Sequence, residues 1–195
     1  MRTAKKSTAS PSHKLLKCPT GIKGFDQITE GGIPHHRVTL VGGGTGSGKT
    51  LLGIDYLING AEQFGENGVF MSFEETPDEL YKDVASLHLD LQGLVSQGKI
   101  LLDHVVLEQR DIQEDNFNLE GLFVRLEHAI DSVGAKRVVL DSIESIFAGI
   151  TDFGILRHEI KRFFRWLKNK KVTTIVTLSL IHISEPTRLR RISYA

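Results

Sequence analysis

The sequence predicts an α/β fold built on a mostly parallel sheet flanked by helices, and three observations carry that prediction. Short β-rich runs alternate with helical patterns through the middle of the chain, as parallel βαβ units require. Gly43, Gly44, Thr45, Gly46, Ser47, Gly48, Lys49 and Thr50 spell G-x-x-x-x-G-K-[ST], a phosphate-cradling loop that sits between a buried strand and a helix N-terminus. A length of 195 residues, 40% hydrophobic and 25% charged, fits one large globular domain.

The elements follow in order. Val38–Val41 is apolar and runs straight into the glycine loop, so it is the first strand. A helix of about 49–64 opens with Leu51 and Leu52. Gly68–Phe73 is the second strand. Thr76, Pro77, Asp78 and Glu79 then read as a capping box, with Thr76 as N-cap, Pro77 at the first helical position and Glu79 at the third. That helix runs to about Leu87, and Leu91–Ser96 adds a short one. Lys99–Val106 is the third strand, and residues 107–117 form an acidic surface loop. Leu119, Leu122, Phe123, Leu126, Ala129, Ile130 and Val133 make the apolar stripe of a helix that Gly134 ends. Arg137–Leu140 is the fourth strand, 154–169 a helix, and Val172–Thr177 the fifth strand.

Ligands of a parallel sheet bind beyond the carboxyl ends of its strands. Three segments fall there. In the glycine loop, Lys49 is placed to reach the outer phosphates and the Thr50 hydroxyl to ligate Mg²⁺. Asp141 ends the fourth strand, where a carboxylate supports the metal or its water ligands, although Asp141-Ser142 is also a good helix cap. Glu74 and Glu75 follow the second strand. They either favour the dipole of the next helix or orient and deprotonate a water at the terminal phosphate. The pattern predicts a nucleoside-triphosphate site, and it leaves open which glutamate does the chemistry.

Composition narrows the partners. No apolar stretch is long enough to span a bilayer, and no signal peptide opens the chain. Cys18 is the only cysteine, a structural thiol suited to a reducing cytoplasm. Residues 1–14 read as a flexible basic tail. Residues 178–195 hold three arginines and one glutamate, which leaves 21 basic and 23 acidic residues elsewhere. Without Arg2, Lys5, Lys6 and Lys14 the remaining body carries −6, a balance that argues against nucleic acid as partner. His35 and His36 lack a third metal ligand and read as solvated histidines. Trp166, Phe163 and Phe164 read as one packed helix face, and Arg157, Arg162 and Arg165 as its solvated side.

The chain resembles the KaiC family of RecA-like ATPases, known from the cyanobacterial circadian clock. Thr20-Gly21-Ile22-Lys23-Gly24-Phe25-Asp26, Gly31-Gly32-Ile33-Pro34, the phosphate loop, Phe73-Glu74-Glu75-Thr76-Pro77 and Val139-Leu140-Asp141-Ser142 carry the resemblance. It covers about residues 15–177 and extends through Leu156-Arg157 and Phe164–Lys168. It implies a RecA-like P-loop fold whose ATP and Mg²⁺ are held by Gly43 through Leu51, with Glu74 and Glu75 matching the family's catalytic pair. Ser86 matches a serine near the nucleotide. The resemblance also implies a homohexamer with ATP between subunits, slow hydrolysis, serine/threonine autokinase activity in the complete protein, and clock or signalling partners. Two other readings stand beside it, a DNA-binding recombinase of the same fold and an assembly module gated by nucleotide. Residues 142–156 hold no Lys or Arg, which weighs against the first of these. Relatives continue past the fifth strand with further strands and basic residues. Here residues 178–195 instead resemble translated sequencing-adapter read-through, so the expected domain is incomplete at its C-terminus.

Overall fold

A computed structural model describes residues 15–106, 119–147 and 153–179. Its strands are β1 (Lys17–Cys18), β2 (Ile33–Pro34), β3 (Val38–Gly43), β4 (Gly68–Ser72), β5 (Ile100–His104), β6 (Arg137–Asp141) and β7 (Thr173–Ser179). The helices are α1 (Phe25–Ile28), α2 (Lys49–Gln63), α3 (Pro77–Ala85), α4 (Leu91–Ser96), α5 (Glu120–Val133), α6 (Ile143–Phe147) and α7 (Phe153–Asn169). Five strands form one wholly parallel sheet in the order β3-β7-β6-β4-β5. The predicted loop at 107–117, the tail at 1–14, residues 148–152 and, of the expected C-terminal tail, residues 180–195 lie outside the described residues. No described helix is long and apolar enough to cross a membrane.

The central strands β4 and β6 are buried along their whole length and alternate between two cores, because successive strand residues point to opposite faces. Val69, Met71, Val138, Leu140 and Val176 pack with α5 and α7. Phe70, Val139 and Ile175 pack with α2, α3 and α4. On the first face the stripe of α5 is buried as its spacing predicts, and Phe123 stacks on Phe163 and Trp166 with ring centroids 5.5 and 5.2 Å apart. Arg162 departs from the solvated-face reading. Its guanidinium pairs with Glu120 and Glu159 and lies 5.0 Å from the Phe123 ring.

On the second face, α2 sits close against the sheet because two of its residues lack a Cβ. A methyl at Gly53 would stand 2.7 Å from Val139 Cγ1, and one at Gly60 would stand 2.5 Å from Arg137 Cδ. Arg137 itself is fully buried at the start of β6. Its guanidinium donates to Glu66 Oε2 (2.7 Å), Tyr56 O (3.0 Å) and Pro19 O (2.9 Å), so no N–H-bearing nitrogen is left unpaired. Cys18 is buried beside it, its thiol pushed up first by burial, as a structural cysteine should be.

The capping box of α3 forms as predicted: Glu79 N donates to Thr76 Oγ1 (3.4 Å) and Thr76 N to Glu79 Oε2 (2.8 Å). The helix ends at Ala85 rather than Leu87, because Leu87 N bonds to Val84 O and tightens the last turn. Strand β7 is longer than predicted. It runs through Leu178 and Ser179, which pair with Gly42 and Gly43. Elements β1, β2, α1 and α6 are too short to leave a periodic signal. Asp26 organises the turn between the first two: its carboxylate accepts from Thr20 N (2.9 Å), Thr20 Oγ1 (2.7 Å) and Gly21 N (3.0 Å). Partial burial opposes the charge, yet those bonds hold its pKa below the ordinary aspartate value.

Candidate functional site

The carboxyl ends of β3, β4, β6 and β7 lie along one edge, and the predicted site residues other than Ser86 gather there. Ser72 pairs with Asp141 across β4 and β6, and Gly43 pairs with Ser179 across β3 and β7. Past β3 the chain turns through Gly46 and Gly48, whose φ angles of 71° and 83° favour glycine. Gly48 is the N-cap of α2, so Lys49, Thr50 and Leu51 form its first turn with their N–H groups unpaired by the helix. Two cavities open against this turn. One, of about 210 Å³, lies between Gly46–Leu51 and Glu75. The other, of about 140 Å³, is lined by Thr45, Lys49, Thr50, Glu74, Glu75 and Asp141, among others.

Each side chain has a defined posture. Lys49 Nζ donates to the loop's own Gly44 O at 2.9 Å, folded over the cradle. Thr50 Oγ1 donates to Asp141 Oδ2 at 2.7 Å, which joins the two residues expected to hold Mg²⁺. The other oxygen of Asp141 is hydrogen-bonded by Thr177 Oγ1. Thr177 therefore belongs to the site, although nothing in the sequence separates it from Thr173 and Thr174 on the same strand.

The two glutamates differ sharply. Glu74 Oε1 accepts from Ser142 Oγ (2.7 Å) and Ser145 Oγ (2.8 Å), so both ends of the first turn of α6 hold it. Ser145 was missed; its one signal is the three-residue spacing from Ser142 at a helix start. Glu75 has its backbone N–H on Ser72 Oγ (3.0 Å), but its buried Oε2 has no partner among the described residues. Burial raises the pKa of Glu75, and the negative charges of Asp141, Asp83, Glu79 and Glu74 raise it further. A carboxylate so placed lacks a proton or a donor.

Ser86 is placed elsewhere. It caps the C-terminus of α3, its hydroxyl on Asp83 O at 3.5 Å, and lines neither cavity, since the helix carries the chain away from the sheet edge. The described residues hold no group of three or more His, Cys, Asp or Glu that would bind a metal by themselves. The donor set nevertheless fits Mg²⁺ held jointly by protein and phosphate: one hydroxyl, one carboxylate and a neighbouring lysine facing the loop.

The model of the KaiC ATPase family matches residues 18–192. A circadian clock protein KaiC2 of Synechocystis is 51% identical over 169 residues, which is 86% of this chain and 30% of that protein. The circadian clock oscillator protein KaiC of Nostoc is 43% identical over 83% of this chain and 31% of its own length. That of Prochlorococcus marinus subsp. pastoris is 40% identical, over 89% and 34% respectively. The chain thus spans about a third of the length of these relatives.

Proposed function

This chain belongs to the KaiC ATPase family, and we propose that its sheet edge binds ATP with Mg²⁺ and hydrolyses it slowly within a homohexamer. The unpartnered Glu75 oxygen beside Lys49 and Thr50 carries the reading. The loop's N–H groups and Lys49 bind the phosphates once Lys49 leaves Gly44 O. Thr50 and Asp141 would hold Mg²⁺, which when bound offsets phosphate charge.

Glu75 is the base in this scheme. It accepts a proton from the attacking water as the water oxygen bonds to the γ-phosphorus and the bond to the β-phosphate oxygen breaks, releasing ADP and phosphate. Its raised pKa suits that task, and its Oε2 has no competing donor among the described residues. Glu74 is held by Ser142 and Ser145 and orients its neighbour. In the complete protein the same machinery is proposed to serve a serine/threonine autokinase reaction and to engage clock or signalling partners.

The test is hydrolysis of ATP by the complete protein with and without Mg²⁺, alongside its oligomeric state. Magnesium-dependent release of phosphate from hexamers is expected. Hexamers that bind ATP without turning it over would reduce the reading to a nucleotide-gated assembly module.

A further inference from the structure

A larger cavity, of about 420 Å³, opens at the amino ends of β3 and β7, the opposite end of the sheet from the phosphate loop. His35, His36, Arg37, Lys168 and Lys171 line it together with Leu15 and Leu16. No carboxylate is in that lining, and among the described residues Arg37, Lys168 and Lys171 form no ion pair.

The walls are fixed to the sheet. His36 N donates to Thr173 Oγ1 at 3.0 Å and Thr174 N donates to Arg37 O at 3.0 Å. His36 and Lys171 both take left-handed backbone angles (φ 53° and 56°), which residues with a Cβ avoid and which gather at functional sites. The imidazoles of His35 and His36 stand 3.8 Å apart between centroids. Burial lowers the pKa of His36, and His35, Lys171 and Lys136 lower it further, while Glu66 pulls the other way. Among the described residues the lining thus brings three cationic side chains together with no carboxylate in it.

We propose that this cavity binds a phosphorylated small molecule, its phosphate on Arg37, Lys168 and Lys171 and its apolar body against Leu15 and Leu16. A dianion satisfies several cations at once, and the planar guanidinium of Arg37 suits phosphate oxygens. A volume of about 420 Å³ exceeds what a bare phosphate fills and falls in the range of small-molecule sites. The site is distinct from the phosphate loop, which holds its anion with backbone N–H groups and one lysine.

The experiment uses the full chain carrying Lys49→Ala, so that the loop does not take the probe. Phenyl phosphate is titrated while the ring resonances of His35 and His36 are followed by NMR. Both should shift saturably, and the His36 pKa should rise in the complex. Benzoate, which keeps the ring but carries a single charge, should bind about tenfold more weakly. Lys171→Gly removes the ammonium while suiting the left-handed backbone, so the fold should survive and the affinity fall about fivefold. Arg37→Gln should lower the affinity similarly. Ring resonances unmoved by phenyl phosphate, or benzoate binding equally well, overturn the proposal.

Discussion

Asp26 and Glu75 are both carboxylates beside loops, and the structure treats them in opposite ways. Asp26 accepts four hydrogen bonds from Thr20 and Gly21, and these hold its charged form despite partial burial. Glu75 has a buried oxygen with no donor among the described residues, and its charged form is disfavoured by burial and by four other acidic groups. The first arrangement fixes a turn. The second leaves a carboxylate whose charge its surroundings oppose, which is the kind of group a proposed base requires.

The comparison breaks most visibly at Glu75. Glu75→Gln should lower single-turnover ATP hydrolysis by about 10²- to 10⁴-fold in the complete protein while leaving ATP binding intact. Asp26→Ala strands three buried or half-buried donors and should cost about 2–3 kcal/mol in chemical denaturation, with no direct effect on the hydrolytic step. Its pH signature has a sign: a lowered folded pKa contributes stability above the unfolded value of about 3.9 and loses it as pH falls through the folded value. The acid limb of the stability curve should therefore flatten in the variant.

Removing both serines that hold Glu74, as Ser142→Ala with Ser145→Ala, should slow hydrolysis about tenfold through misorientation alone. An unchanged rate would mean that Glu74 needs no orienting. The smallest effect is on Glu75 as a structural group. Its raised folded pKa gives stability that is complete below the unfolded value of about 4.3 and is lost as pH rises through the folded value. Glu75→Gln should therefore melt slightly higher than the parent at pH 7, with the difference fading towards pH 4. A lower melting temperature at pH 7 would contradict the frustrated state of that carboxylate.

Most of the fold was legible because its signals are local and periodic. The capping box at Thr76, the stripe of α5 and the glycine loop each say their structure within a few residues. The placement of the candidate residues was legible in outline, since Lys49, Thr50, Glu74 and Glu75 follow strands of one parallel sheet and Asp141 ends another. What stayed hidden depends on contacts between distant segments. Thr177 reaches Asp141 from a strand 36 residues on, and Ser145 reaches Glu74 across 71. Arg137 looked like an ordinary strand residue, yet it is the largest fully buried side chain, for its partners Glu66, Tyr56 and Pro19 lie on three other segments. Which of two adjacent glutamates is free was likewise a question of who sits opposite.

The missing side chains at Gly53 and Gly60 have a consequence far from the core they relieve. Thr50 rides on the same helix, one turn before Gly53, and meets Asp141 on the strand that Gly53 faces through Val139. The gap between helix and strand is therefore a gauge, set by the absence of two methyl groups and read out as the reach from a hydroxyl to a carboxylate. A protein that widened this gauge would keep every side chain of the loop and still lose the hydrogen bond that ties its hydroxyl to the far carboxylate.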